Sequence, residues 1–404
     1  MADLDAILSS KDMKVQIESL KQYVDNQLIP SGKLDLLKAF VSKVLADDVP
    51  QQVSRSIVLH FGAAIATLPP NVFEDIANFT VQSIRQSSSA NDEADYVLRD
   101  LLFKYYTKEE EYKSAAMILA GLNLDSTSKS YTIDEKANII VTIAETFLTD
   151  DESSADQAET MVHKASLLMN DVSSSTMGRV IHLRYKSIHA RVLDANRKFV
   201  DAAMRYFELS ITPRETVDML NLNQGDLLEF LGKAVTCAVL GKAGPQRSRV
   251  LGVLFKDERL RQLDYLPRYS SHASVLIKMY TEQLLRRDEL ATFEESLADH
   301  QKAQTADGFT FPEKAVIEHN MVATGNLYDN IHFSELGTIL RLDANTAERV
   351  AASMISEDRL KATIDQTESI LIFENDDDAL LSWDDRIREV CNELTATVEF
   401  ITAN

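Results

Sequence analysis

The change in apolar spacing between Phe311 and Glu374 constrains the fold of this chain more than any other feature. Upstream of it, apolar residues recur at helical spacing almost throughout, which predicts a series of amphipathic helices. Within it, a helix predicted over Glu313–Tyr328 gives way to Ile331–Phe333, a short apolar run typical of a strand. The chain therefore changes here from purely helical to mixed structure.

Two further helices and two strands complete this stretch. Ser334 is predicted to cap one helix and Asn345 or Thr346 to open the next, because their side chains can accept hydrogen bonds from the first N–H groups. Two strand-like runs, Leu360–Asp365 and Ser369–Glu374, follow with a polar turn between them, and the second is β-branched and aromatic. Helix, strand, helix, helix and hairpin is the order of a winged helix.

Length and charge limit the classes of protein and partner. A chain of 404 residues is too long for one ordinary core, so two or three units are expected, and its 12 glycines and 8 prolines are few enough to favour long helices. The net charge of −21 repels phosphate backbones and anionic membranes, so neither nucleic acid nor membrane is an expected partner. The acidic N-terminus lacks the layout of a signal peptide, so we expect a cytoplasmic and nuclear protein.

A degenerate repeat organises the N-terminal half. Similar helix starts with small residues occur at Tyr112, Ala155 and Phe199, which are 43 and 44 residues apart. Each follows another predicted helix, and paired helices bury their apolar stripes by stacking on neighbouring pairs. The sequence therefore predicts a helical-repeat solenoid, similar to tetratricopeptide or HEAT repeats, over residues 1–195.

The remaining chain divides into a second domain and a tail. Residues 196–374 are predicted to form one domain, with a helical half at 196–300 and the winged helix at 312–374. Between these halves, His300–Gly308 lacks periodicity and is predicted to be an exposed loop. After an acidic linker, the tail at 375–404 carries a heptad-like apolar stripe on a predicted amphipathic helix. Such a helix is marginal alone in water, so we expect it to pack on another chain.

Motifs for catalysis are missing from the sequence. It contains no GxSxG, GxxxxGK[ST], GxGxxG or HExxH pattern, and its eight histidines are dispersed. The neighbours Glu318 and His319 do not share a helix face, so His319 is interpreted as a structural residue. Cys237 and Cys391 are expected to be buried free thiols. We therefore expect a protein that is not an enzyme and that has no catalytic residue, metal or cofactor.

Two local features of the sequence could also indicate a ligand-binding function. The basic run Gln246–Arg249 is interpreted as a helix start whose arginines pair with Asp257 or Glu258, and anion binding is the alternative. A winged helix also suggests DNA binding, but the candidate recognition helix at 343–358 carries four acids against one base, Arg349. A protein interface fits better, because the edge of the hairpin at Ser369–Glu374 could pair with a strand of another chain.

Several stretches resemble a known family. They are Ala234–Leu240, Ala243–Arg249, Leu254–Arg259, His300–Gly308, Ala315–Asn320, Phe333–Gly337 and Ile364–Gln366. Helices feeding a winged helix resemble the PCI domain shared by the proteasome lid, the COP-9 signalosome and translation initiation factor three. The quoted stretches are most similar to the fourth-subunit family of the signalosome, whereas Arg261–His272 departs from the family pattern.

The resemblance implies a function in a large complex. The signalosome removes a ubiquitin-like modifier from cullins and so regulates cullin–RING ubiquitin ligases, and its zinc isopeptidase site lies on an MPN-type subunit. A fourth subunit is implied to be a non-catalytic scaffold and sensor that contacts other PCI and MPN subunits in a hetero-oligomer, with the cullin–RING ligase as substrate of the complex. A PCI subunit of the 26S proteasome lid is the alternative, and a nucleic-acid-binding winged-helix protein is a remote one.

Three sets of residues are candidates for the implied contacts. The winged-helix interface would comprise Ile331, Phe333, Leu336, Ile370, Leu371, Ile372 and Phe373. The C-terminal bundle would use Trp383, Ile387, Val390, Leu394 and Ile401. The loop that relays substrate arrival to the MPN pair would comprise His300, Gln301, Lys302, Thr305, Asp307 and Gly308.

Overall fold

A computed structural model describes residues 13–46, 49–87, 91–125, 130–150, 154–212, 223–305, 307–374, 383, 386–392 and 394. Helices dominate this part of the chain, and its sheet has three short strands, as the sequence predicts for a mostly α protein. By internal contacts the chain divides into two compact units, Met1–Asn196 and Arg197–Asn404.

The first unit is a succession of helices that pack on their neighbours along the chain. They are α1 (Met13–Tyr23), α2 (Leu34–Val44), α3 (Gln51–Ile65), α4 (Pro70–Gln86), α5 (Asp92–Lys108), α6 (Tyr112–Ala120), α7 (Ile133–Asp150), α8 (Ala155–Leu168) and α9 (Thr176–Ala195). A π-helical turn, Val24–Leu28, and a short turn, Ile29–Ser31, continue α1. Each helix contacts the next one or the next but one, as in a helical repeat.

The small residues of the predicted repeat lie where helices meet. Helices α6 and α8 begin at Tyr112 and Ala155, the positions that the sequence predicts. Ala115, Ala116 and Ala158 are fully buried, so the backbone of each of these helices lies close to its neighbours. A larger side chain at these positions would separate the paired helices.

The second unit is built around a central buried helix. Its helices are α10 (Phe199–Ser210), α11 (Gln224–Leu240), α12 (Pro245–Phe255), α13 (His272–Tyr280), α14 (Arg287–Glu295), α15 (Phe311–Gly325), α16 (Phe333–Leu340) and α17 (Ala344–Ser356). Helix α11 contacts α10, α12, α13 and α15, and every residue of its last two turns, 234–240, is buried. Short 3-10 segments at Glu258–Tyr265, Pro267–Tyr269 and Asp299–Lys302 connect the helices.

The winged helix has the predicted order of elements. Helix α15 is followed by β1 (Asn330–His332), α16, α17, β2 (Ala362–Asp365) and β3 (Ile370–Phe373). The caps differ from the prediction. Ser334 lies inside α16, which begins one residue earlier because Phe333 is held in the core and His332 is the N-cap residue. Helix α17 is capped by Asp343, whose carboxylate accepts a hydrogen bond from the N–H of Thr346.

Candidate interaction surfaces of the second unit

Strand β3 lies in the centre of the three-stranded sheet. The order is β1-β3-β2, and β3 is antiparallel to both neighbours, with Leu371 opposite Ile331 on one side and Ile364 on the other. The prediction that the hairpin at Ser369–Glu374 offers a free edge is therefore wrong. The return of the chain beside β1 occupies the remaining hydrogen-bonding side of β3, and the free edges of this sheet belong to β1 and β2.

Most side chains of the predicted winged-helix interface belong to the core of the winged helix. Ile331, Phe333, Leu336, Leu371 and Phe373 are buried, and they pack with Met321, Ala347, Ala351 and Met354. On the strands, alternation directs Ile331, Leu371 and Phe373 toward the helices, and on α16 the spacing of three residues places Phe333 and Leu336 on the same buried face. Ile372 points the other way with 42% of its surface exposed, and Ile370 is half-buried.

The exposed backbone groups of β2 follow from the hydrogen-bond pattern. The N–H of Glu374 donates to the carbonyl of Lys361, which makes this residue pair hydrogen-bonded. In an antiparallel ladder such pairs alternate with pairs that do not bond, so Thr363 bonds to β3 whereas Ala362 and Ile364 direct their N–H and C=O groups outward. Two residues of β2 therefore present unpaired backbone groups at the sheet edge.

A buried ion pair joins the winged helix to the helical half. Glu318 of α15 is buried, and its carboxylate accepts hydrogen bonds from the guanidinium of Arg359, at 2.5 and 3.2 Å. The same carboxylate accepts a bond from the backbone N–H of Ala243, which lies just before α12. Glu318 thus contacts residues from three separate parts of the chain, and sequence reasoning did not assign it this role.

Arg247 is also buried beside this ion pair. Its guanidinium donates to the carbonyl of Gly241 at 3.0 Å, and burial lowers its pKa to about 10. The predicted pairing with Asp257 or Glu258 is wrong for Arg247, because Asp257 is engaged by Arg259. Helix α12 begins at Pro245 with Gly244 as its N-cap, so Arg247 lies in its first turn, where it is buried next to Gly241 at the end of α11.

His319 has the structural role that its position predicts. Its Nε2 atom lies 2.9 Å from the carbonyl of Gln283, and the side chain is 3% exposed. Burial, reinforced by the positive charge of Arg247, lowers the pKa of His319 to about 4. His319 is therefore neutral at physiological pH and holds the segment before α14 against α15.

The candidate loop at His300–Gly308 is more ordered than the sequence predicts. Asp299–Lys302 forms a 3-10 turn in which the Gln301 side chain is buried and accepts a bond from the N–H of Ala298. The backbone N–H of Thr305 donates to the carbonyl of Phe309, and Gly308 closes the turn with a φ of 86°. His300 and Thr305 are half-buried, so Lys302, Asp307 and Gly308 are the exposed members of this set.

The described part of the tail carries an exposed apolar stripe. Residues 386–392 are helical, as are Trp383 and Leu394. Trp383, Ile387, Val390 and Leu394 have 52–65% of their surface exposed, and Ile401 lies outside the described residues. Cys237 is buried as predicted, but Cys391 is exposed because the helix that carries it is not covered by the described part of the chain.

The described residues contain neither a cluster of metal-ligand side chains nor a membrane-spanning helix. The residues that the structure describes contain no group of three or more His, Cys, Asp or Glu side chains that could hold a metal ion. None of the helices in the described ranges is long and apolar enough to cross a membrane.

Two family models match the chain. The model of the PCI domain matches residues 279–375, which include the winged helix and the last helix before it. The model described as "PSMD12/CSN4, N-terminal" matches residues 7–217. Together they cover the first unit from residue 7 onward and the winged helix, whereas residues 218–278, with α11 and α12, lie outside both matches.

Curated relatives match over nearly the whole length. COP9 signalosome complex subunit 4 from Arabidopsis thaliana is 38% identical over 395 residues, which cover 96% of this chain and 96% of that protein. The protein of the same name from Drosophila melanogaster is 37% identical, covering 96% and 91%. The Dictyostelium discoideum protein is 35% identical, covering 99% and 96%.

Proposed function

Because this chain belongs to the family of COP9 signalosome complex subunit 4, as its sequence resemblance predicts, we propose that it is a non-catalytic scaffold and substrate-sensing subunit of a COP9 signalosome. The complex would remove the ubiquitin-like modifier from cullins and thereby regulate cullin–RING ligases in the cytoplasm and nucleus. The observation that carries this proposal is the match to three relatives of one name over at least 96% of the chain.

The structural contacts of Glu318 and His319 on α15 support a non-catalytic role. Glu318 is engaged by Arg359 and by the N–H of Ala243, and His319 bonds the carbonyl of Gln283. Both side chains are buried, and their hydrogen bonds go to other groups of the protein. We assign the isopeptidase chemistry to a partner subunit of the MPN type.

The sheet edges would join this subunit to neighbouring PCI subunits. The outward backbone groups of Ala362 and Ile364 on β2 can pair with a strand of another chain, and β1 offers the opposite edge. Ile372 would add an exposed apolar contact on one face of the sheet. The five buried residues of the predicted winged-helix interface would pack beneath the sheet and hold its strands in position.

The tail would enter a helical bundle of several subunits. Its four described apolar residues lie at intervals of 4, 3 and 4, which is the seam of a coiled-coil-like contact. Their exposure leaves this seam available to another helix. Burial of aliphatic and aromatic side chains of this kind contributes roughly 1.5–3 kcal/mol each.

Two further contacts would allow this subunit to sense the arrival of the substrate. The exposed residues of the candidate loop, Lys302, Asp307 and Gly308, would contact the MPN pair. The Lys314 ammonium holds the Asp307 carboxylate by a hydrogen bond and lowers its pKa, so this carboxylate stays charged in the loop. The N-terminal helical repeat would reach the cullin–RING substrate.

The experiment that tests the proposal is affinity purification of the tagged full-length chain from cell extract, followed by mass spectrometry. We expect the remaining signalosome subunits in near-equal amounts. The rival is a PCI subunit of the proteasome lid, which the shared N-terminal family model keeps open. Recovery of proteasome subunits instead of signalosome subunits would support that rival and contradict the proposal.

A further inference from the structure

The second unit contains a cavity of about 470 Å³ at the start of α12. Its wall is formed by residues 197–201 at the start of α10, residues 240–247 from the end of α11 to the first turn of α12, Phe311, and residues 357–359 after α17. All of them belong to the same compact unit. Sites for small molecules have volumes in this range, so the cavity is large enough for an organic ligand.

The charges beside this cavity do not balance. Arg247 is the buried charged residue of the wall, and no carboxylate of the described residues lies within ion-pair distance of its guanidinium. Glu318 attracts Arg247 from beyond that distance and also bonds Arg359, while Glu357 bonds both Arg359 and Lys242. Three cations therefore share two carboxylates. A buried positive charge in excess is costly, so an anion in the cavity would stabilise this end of α12.

Backbone donors at the start of α12 line the same cavity. Gly244 is the N-cap residue and has no side chain that could accept from the first turn, and Pro245 occupies the first helical position. The N–H groups of Gln246 and Arg247 therefore have no acceptor within the helix. Such groups favour anions, because they lie at the positive end of the helix dipole. They add to the buried guanidinium as donors on one wall.

Phe311 gives the cavity an apolar part. Its ring packs edge-on against Phe199 at 5.4 Å between centroids, and the guanidinium of Arg197 lies 5.0 Å from its centroid. Arg197 is exposed and forms no ion pair with another described residue, so its charge is available to a ligand. The remaining acids of the wall, Asp201 and Asp358, are exposed and can stay in water. A ligand with an anionic group and an organic ring matches this lining.

We propose that this cavity binds a small organic phosphate, with the phosphate group at Arg247 and the start of α12 and the organic part against Phe311. Three phosphate oxygens can accept from the guanidinium and from both backbone N–H groups together, whereas a carboxylate has two oxygens. The basic run Gln246–Arg249, for which the sequence leaves anion binding open, contributes its buried arginine to this site. The site goes beyond the scaffold role and does not depend on it.

Calorimetric titration of the purified full-length chain with phenyl phosphate tests the proposal. Inorganic phosphate supplies the anion without the ring, and benzyl alcohol supplies the ring without the anion. At constant ionic strength we expect phenyl phosphate to bind about tenfold more tightly than inorganic phosphate, because burial of the ring adds apolar contact. Benzyl alcohol should show no binding. Bound phenyl phosphate should also slow hydrogen exchange in peptides that cover residues 241–249.

Two substitutions locate the site. Arg247→Met removes the buried cation and should abolish binding of phenyl phosphate. Arg197→Gln changes an exposed side chain and leaves the core intact, so it decides the outcome if the first variant fails to fold; it should weaken binding about fivefold. Arg341→Gln is the matched control, because Arg341 is an exposed arginine outside the cavity wall, and it should bind like the parent.

Four results would overturn the proposal. They are no binding of phenyl phosphate, equal affinities for phenyl phosphate and inorganic phosphate, binding that Arg197→Gln leaves unchanged, and equal weakening by Arg197→Gln and Arg341→Gln. The last of these would mean that the anion associates with surface arginines in general. Because the titration uses the chain alone, its result is independent of whether the chain enters a signalosome.

Discussion

Glu318 shows how single buried residues connect distant parts of the second unit. It is 41 positions from Arg359 and 75 from Ala243, and the sequence shows neither contact. Periodicity predicts that α15 is a helix but not which buried acid will meet a cation, because that depends on how α12 and the end of α17 approach it. For the same reason, the sequence predicts that Arg247 pairs with the nearby Asp257 or Glu258, whereas the structure buries it beside Glu318.

Substitution of Glu318 should destabilise the second unit strongly. Glu318→Gln removes the buried carboxylate that neutralises Arg247 and leaves Arg359 with Glu357 as its remaining acidic partner, which costs roughly 3 kcal/mol. The measurement is hydrogen exchange by mass spectrometry on peptides from α15. Glu208→Gln is the control, because the Arg205–Glu208 pair is 46% and 43% exposed and contributes below about 1 kcal/mol. Equal effects of the two substitutions would contradict this role of Glu318.

Buried histidines should make the second unit sensitive to acid. His272 is fully buried between the rings of Tyr269 and Phe293, and burial lowers its pKa to about 4. The hydroxyl of Thr236 donates to the carbonyl of Gly232, so it accepts from Nε2 of His272 at 2.9 Å. This bond orients the ring, whereas burial and the positive charge of Arg268 keep it neutral.

The pH dependence follows from the direction of that shift. The unfolded histidine has a pKa of about 6.5, so between pH 6.5 and 4 the unfolded chain takes up a proton that the folded chain does not. Stability is therefore complete above about pH 6.5 and falls by ~3 kcal/mol for His272 as the pH approaches 4. His272→Gln should make the loss of stability in urea titrations shallower, whereas exposed His163→Gln should not; identical slopes would contradict the assignment.

At the scale of elements, the starts of the repeat helices were predictable, whereas the caps of α16 and α17 and the strand order were not. Helices α6, α8 and α10 begin at Tyr112, Ala155 and Phe199, because small residues after a loop mark each new helix. The strands were recognised from β-branched runs, but the sequence does not show that β1 pairs with β3. That pairing places β3 in the centre of the sheet and leaves the free edges on β1 and β2.

The edge of β2 should tolerate a change that blocks pairing with another chain. Ile364→Pro removes an N–H that points away from β3, so we expect a folded chain with weakened association with a neighbouring PCI subunit. Thr363→Pro removes a bond to β3 and should destabilise the winged helix itself. The measurements are the melting temperature and binding to the partner subunits in pull-downs. Unchanged binding of the Ile364 variant would assign association to another surface.

The tail should be required for entry into the complex. Ile387→Asp with Leu394→Asp places two charges on the apolar stripe, and their burial in a bundle would be unpaired and costly. We expect loss of co-purification without loss of the folded second unit. The control is Arg386→Asp on the same helix with the stripe intact. If the double variant still assembled with the other subunits, the proposal that the tail packs in a helical bundle would be wrong.

The whole molecule combines two helical units with surfaces for association. Its mostly α class was predictable because helical periodicity extends over most of the chain and glycine and proline are scarce. The surfaces were harder to predict, since exposure depends on which strands and helices cover one another. Five of the seven residues chosen for the winged-helix interface are core residues, whereas the tail stripe is exposed as its spacing indicated.

The non-catalytic scaffold role is best tested by cleavage of a modified cullin by complexes with and without this chain. We expect the purified chain alone to leave the conjugate intact. We also expect that subunits reconstituted without the chain assemble poorly and cleave slowly, and that adding it restores both assembly and cleavage. Hydrolysis by the chain alone, or full assembly and activity in its absence, would contradict the account.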